Sequence, residues 1–170
     1  MDIAGFVDSW AALMRTMHKY DEAGNPTAEY VRAESLAPYA ISETDFPVWF
    51  FFVGPATYPV PPDQSLDRLA RETRDFTARL YVGVAQEGIN AEAEAKVRPY
   101  VDVARDLMQS HIRLYSGLPY DEVPGVQRAY LVRDTGVAVF PFGPPPPLYI
   151  GIGFTVRVDA LNLVNYDPHQ

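Results

Sequence analysis

The chain has no cysteine. That excludes disulfides, thiolate nucleophiles and cysteine-held metals, and it suits a reducing compartment. Lysine is nearly missing as well: of 14 basic residues only Lys19 and Lys96 are lysines. No stretch carries the clustered positive charge that grips phosphate backbones, so specific nucleic-acid binding is not expected. Long apolar runs are also lacking. The longest, residues 48–53, falls far short of the roughly 20 residues a bilayer-crossing helix needs. The opening segment has Asp2 and Asp8 where a secretory signal has basic residues, so no signal peptide is expected. These absences together predict a soluble protein with no membrane partner.

Recognisable catalytic patterns are missing too. His18, His111 and His169 are widely spaced and lack paired metal-ligand spacing. There is no Gly-x-Ser-x-Gly elbow, no phosphate-binding Gly-rich loop ending in Lys, and no Asp-rich calcium loop. Gly151-Ile152-Gly153 lacks the third glycine of a dinucleotide loop and sits inside a strand pattern, where small residues let a backbone or subunit approach. Asp102 and Asp106 are four apart on a helix face, but Arg98 and Arg105 share it, which reads as an ion-pair lattice. Glu92 and Glu94 point in different directions on a helix. The expectation is therefore no catalytic residue, no cofactor and no metal.

What is present describes a fold. The 170 residues are 48% apolar and 13% aromatic, with net charge -8, which suits one globular domain spanning residues 1–170. Ile3, Phe6, Trp10, Leu13 (or Met14), Met17 and Tyr20 recur at helical steps and predict a helix over 2–20, ended by Gly24-Asn25-Pro26. Residues 26–46 give weaker signals; 27–36 read as a short helix or as irregular chain, and the segment is taken mostly as coil. Residues 48–53 form an aromatic strand that Gly54-Pro55 should stop. Its lack of alternation implies that both faces are covered, one by helices and the other by another subunit.

A long, proline-rich connection follows over 54–71. Residues 72–84 alternate as a second strand, with Phe76, Ala78, Leu80, Val82 and Val84 on the apolar side and Asp75, Thr77, Arg79 and Tyr81 opposite. Asn90 is a candidate cap for a helix over 91–112, in which Pro99 forces a kink or else marks a start near Arg98. Residues 127–133 and 137–142 read as two strands of a hairpin around Asp134-Thr135-Gly136. The proline runs 59–62 and 144–147 have no flanking basic residue, so stiff connection is favoured over recognition by a polyproline-binding partner. Residues 148–160 close the chain as a long strand. Leu148, Ile150, Ile152, Phe154, Val156, Val158 and Ala160 share one side of it, and Tyr149, Gly151, Gly153, Thr155, Arg157 and Asp159 the other. The expected class is α+β, a mainly antiparallel sheet with two principal helices packed on one face. The N-terminal helix occupies 1–24, the sheet-and-helix core 46–160 and a tail 161–170.

This order of elements resembles the tail terminator proteins of long-tailed bacteriophages. The likeness runs over 46–160: Phe46-Pro47 entering the 48–53 strand, the looped connection, the 76–84 strand, the Gly88 loop, the helix to His111 and the closing strand through Val158. The resemblance implies a ring-forming structural protein, a homo-hexamer that caps the tail tube at its final length and joins it to the head connector or stopper protein. DNA would pass through the lumen without specific binding, as an acidic lining allows. It implies a place in the tail-neck region of the virion, with assembly in the host cytoplasm. Subunit contact is assigned to Arg79, Tyr81, Tyr149, Gly151, Gly153 and Arg157, and ring-to-ring contact to Tyr58, Asp63 and Arg68. A neighbouring neck or head-completion protein of similar fold is an alternative. A small-ligand-binding protein or enzyme is another, and it would need a concave pocket with converging polar groups and a strongly shifted ionisable group.

Overall fold

The computed structural model describes residues 2–35, 41–42, 45–58, 69–85, 91–112, 126–142 and 148–163. The expected helix over 2–20 is shorter: α1 spans Ile3–Met14. Asp2 caps it, its carboxylate accepting from the Gly5 N–H at 2.9 Å. The chain then turns into β1 (His18–Tyr20), which pairs antiparallel with β2 (Pro26–Tyr30). Gly24-Asn25-Pro26 is thus part of a strand-to-strand turn and not a helix stop. Asp21 organises that turn, accepting from the backbone N–H groups of Ala23 and Asn25. Met17 is buried all the same. Its spacing reported burial correctly, while the Val31 N–H, which bonds the Met17 carbonyl at 2.8 Å, decided the local shape.

Residues 26–46, read as mostly coil, also supply β3 (Arg32–Glu34), which runs parallel to the start of β4 (Val48–Thr57). The Phe46–Pro47 bond before β4 is cis. β4 passes through Gly54-Pro55 and is not stopped there. The β4–β5 ladder is irregular between Val53 and Ala56, and Pro55 lies in that irregularity, outside the regular pairing. The sheet continues with β5 (Leu69–Val84), β7 (Leu148–Leu163) and β6 (Val126–Pro141), in the order β3-β4-β5-β7-β6. All pairs beyond β3–β4 are antiparallel. The class is α+β with a mostly antiparallel sheet.

The predicted hairpin at Asp134-Thr135-Gly136 is absent. β6 is one 16-residue strand, and both of its halves pair with β7. The turn residues instead make an irregularity in the ladder between Asp134 and Val137. The Asp134 carboxylate accepts from the Gly136 N–H, Gly136 adopts φ +58°, and the Thr135 hydroxyl accepts from the Gly153 N–H. The same local chemistry serves a turn or a bulge, and the continuous partner strand selects the bulge.

The helix expected over 91–112 is α2 (Ala91–Ile112), continuous through Pro99 and not restarted at Arg98. One large core cluster joins Phe6, Trp10 and Met14 of α1 and Val97, Tyr100, Ala104 and Met108 of α2 to Trp49, Phe51, Phe76, Leu80 and the apolar side of β7. Phe6 packs against Phe76 with ring centres 4.5 Å apart, and Trp10 against Phe51 at 5.2 Å, both pairs tilted. The Trp10 indole N–H points at the Met108 sulfur, 3.3 Å away. The apolar side of the closing strand is as expected from Ile150 to Ala160, while Leu148 at its start is 44% exposed. In β5 a bulge between Tyr81 and Gly83 breaks the alternation, so Val84 is exposed and Ala85 is buried.

Candidate functional site

The side of the sheet away from that large cluster carries every described residue of the predicted subunit contact. Register places Tyr81 opposite Gly151, Arg79 opposite Gly153 and Asp75 opposite Arg157, with Tyr149 next along β7. The period-two reading of both strands therefore put these residues on the correct face. It did not foresee that the face divides into two halves.

The first half is a second core. Val48, Phe50, Tyr81, Phe140, Phe142 and Tyr149 are buried together, with Ile41, Phe46, Phe52 and Ala138 packed around them. Tyr81 contacts Phe50, Phe140, Phe142 and Tyr149 at ring-centre distances of 5.5–6.0 Å. Such pairs each add about 0.5–1.5 kcal/mol beyond burial. Two expectations need correction here. At Val48 and Phe50 the second face of 48–53 is covered by this chain's own aromatic residues, while Phe52 is only partly buried. Tyr81 (0% exposed) and Tyr149 (6%) have no surface left to offer a neighbour. Burial raises the Tyr81 phenol above its ordinary pKa, partly countered by the nearby Arg79 guanidinium.

Gly151 is buried as well, and a Cβ there would overlap the Leu80 carbonyl oxygen of β5. The glycine serves close approach of two strands in one sheet. Gly153 lies under the Phe140 ring, whose tip would be 3.1 Å from an added Cβ. Small residues at these positions fit packing inside the chain.

The second half is polar and half-open. Arg157 donates two hydrogen bonds to Asp75, at 2.7 and 2.9 Å, joining β7 to β5. These bonds hold the Asp75 carboxyl below its ordinary pKa and raise that of Arg157. One row away, Asp159 accepts from Thr73 at 2.9 Å and is also paired with Arg128 of β6. Thr77 and Thr155 face each other at 3.2 Å. A cleft of about 370 Å³ opens beside this ladder, lined by Pro55, Thr57, Tyr58, Thr73, Asp75 and Arg157. Tyr58, assigned to ring-to-ring contact, is 50% exposed at its rim. Asp63 and Arg68 lie outside the described residues, as do Asn90 and both proline runs.

Arg79 stands at the boundary between the halves. Its guanidinium lies over the Phe52 ring at 4.9 Å and the Phe140 ring at 5.0 Å. Sequence reading missed these two flanking rings. Phe140 reaches Arg79 from β6, two strands away, a neighbourhood that only the register of three strands defines.

Of the lattice expected among Asp102, Asp106, Arg98 and Arg105, the structure has the Arg105–Asp102 pair, while Arg98 pairs with Glu94. Glu92–Lys96 and Glu94–Arg98 pair at helical spacing, and Arg105 reaches Asp102 and, at 2.6 Å, Asp134 of β6. Among the described residues no group of three or more His, Asp or Glu is placed to hold a metal ion. No helix among them is long and apolar enough to cross a membrane. No protein-family model matches the chain, and no curated protein matches it.

Proposed function

We propose that this chain is a structural virion protein of the tail-terminator kind. Subunits close into a ring, a homo-hexamer, that caps the tail tube and meets the head connector, with DNA passing through the lumen. Its place is the tail-neck region, reached by assembly in the host cytoplasm. The observation that carries this reading is the half-open polar side of the sheet. Buried residues of both helices belong to the cluster on the opposite side, and the aromatic core covers one end of this one. The remaining surface, Thr73 to Arg79 on β5 and Thr155 to Asp159 on β7, borders the cleft and is cross-linked between strands by hydrogen bonds and ion pairs. Such a surface is rigid and polar at its rim, as interfaces between folded subunits are. A closed ring needs two different patches per subunit, and this side of the sheet supplies one.

The ligand-binding reading has one observation in its favour, the cleft containing Asp75 and Arg157 with their shifted pKa values. The shifts come first from the hydrogen bonds between the two side chains themselves. Both move away from neutrality, so neither group is poised to exchange protons near pH 7. The cleft therefore favours a structural pair over acid-base chemistry.

Native mass measurement and electron microscopy of the purified chain test the proposal, together with addition of the protein to purified tail tubes. The expected result is a closed ring that binds a tube end and stops its growth. A chain that stays monomeric at all concentrations and leaves the tubes unaltered would refute it.

A further inference from the structure

The two edges of the five-stranded sheet are closed to further pairing in different degrees. At one edge stands β3, only three residues long, with Arg32 and Glu34 paired to each other. The other edge is β6, a 16-residue strand whose one partner among the described residues is β7. A long open edge is a template for another strand, and bulges and charged residues are the usual defences. β6 carries both ahead of Val137. Three irregularities in its ladder fall there, together with Arg128, Arg133 and Asp134. Residues 137–141 carry neither. Val137-Ala138-Val139-Phe140-Pro141 is uncharged, and its pairing runs regularly from Val137 opposite Ile152 to Pro141 opposite Leu148. Among the described residues no backbone–backbone hydrogen bond joins this stretch to anything but β7. Val137, Ala138 and Val139 are left half-buried.

We propose that residues 137–141 are a strand-addition site whose occupant is the same stretch of a second copy of this chain, antiparallel about a two-fold axis through Val139. The two sides of β6 select that occupant. Val137 and Val139 pack at the margin of the large cluster, and Ala138 and Phe140 lie on the aromatic side. An added strand therefore has to be apolar on both sides, whereas a half-exposed strand alternates apolar with polar. Residues 137–140 meet that demand themselves. About the two-fold axis, Val139 faces Val139 of the second copy, Ala138 faces Phe140 and Val137 faces Pro141. β-Branched meets β-branched, small meets large, and no charge opposes its like. Main-chain hydrogen bonds and the two continued apolar layers supply the affinity. The contact is isologous. It is separate from the heterologous contacts of the ring reading and does not depend on them.

The chain has no cysteine of its own, so an introduced thiol is unique. In the full chain, Val139→Cys places that thiol at the axis, and mild oxidation should link it to itself as a covalent dimer. Val132→Cys, exposed on the irregular part of β6, should not cross-link under the same conditions. Val139→Lys and Val139→Asp each set like charges against one another across the axis. Sedimentation over a range of concentrations should show either variant pairing at least about tenfold more weakly than wild type. An equimolar mixture of the two should recover most of the loss, because lysine then faces aspartate. Thermal melts establish that each variant is folded, and the cysteine variants decide the matter if the charged ones are not. Equal cross-linking of the two cysteine variants, or a mixture no stronger than its components, would overturn the inference. A wild type found only as single rings would overturn it and leave the ring reading standing. A wild type found only as two-fold dimers would support it and refute the ring, and a strictly monomeric wild type would overturn both.

Discussion

Among the described residues two buried polar atoms, the Trp49 indole nitrogen and the Tyr81 hydroxyl, have no well-formed hydrogen bond, the hydroxyl having only the nearby Arg79 guanidinium as a weak partner. A buried hydroxyl without a partner loses its bonds to water and gains none in exchange. Tyr81→Phe keeps the ring contacts and removes that loss, so stability should be unchanged or rise by up to about 1 kcal/mol. A thermal melt checks this, and a clear drop would mean that the hydroxyl is satisfied in solution. Gly151 and Gly83 face the same β5–β7 ladder with opposite consequences. A methyl at Gly151 collides with the Leu80 carbonyl, whereas one at Gly83 meets nothing within 4 Å. Gly151→Ala should therefore cost about 1–3 kcal/mol or more, and Gly83→Ala far less. Denaturant midpoints of the two variants measure the contrast.

Between elements, the Asp75–Arg157 pair links β5 to β7 on a half-exposed surface, its side chains 40% and 39% accessible. The folded Asp75 carboxyl has a lowered pKa, so the native state binds fewer protons than the unfolded chain near that value. Its contribution is present above the ordinary carboxylate range and is lost as pH falls through the lowered value. Exposure limits it to about 0–1 kcal/mol. Asp75→Asn should then be slightly less stable at neutral pH and converge on wild type as pH falls through the lowered Asp75 value, as chemical unfolding at a series of pH values would show. At this scale the strands were the most legible part of the sequence. Alternation named the buried side of β7 from Ile150 to Ala160, because one-sided burial imposes period two. β1, β2 and β3 were not legible, being three to five residues long with at most one buried residue each. Without a buried face, a strand leaves no alternation to read.

Among the described residues, two clusters of buried side chains share β4, β5 and β7. Neighbouring residues of one strand belong to different clusters: Trp49 to the large one and Phe50 to the aromatic one, Leu80 to the large one and Tyr81 to the aromatic one. Neither cluster can disperse without dismantling the strands of the other, so unfolding should be a single transition. Fluorescence of Trp10 and Trp49 reports the large cluster, and a fluorine label on Phe142 reports the aromatic one. Their denaturation curves should coincide, and separate midpoints would show two independent units. By itself the sequence determined the α+β class, the long strands and the facing of their residues, since each follows from local periodicity and burial. It also placed Arg79 and Arg157 on one side of the sheet. Only the tertiary structure decided that Tyr81 and Tyr149 are sealed inside, that Asp134-Thr135-Gly136 is a bulge, and that Phe52 and Phe140 flank Arg79. Each of those depends on which strand lies beside which and in what register, a choice made by contacts between residues far apart in the chain.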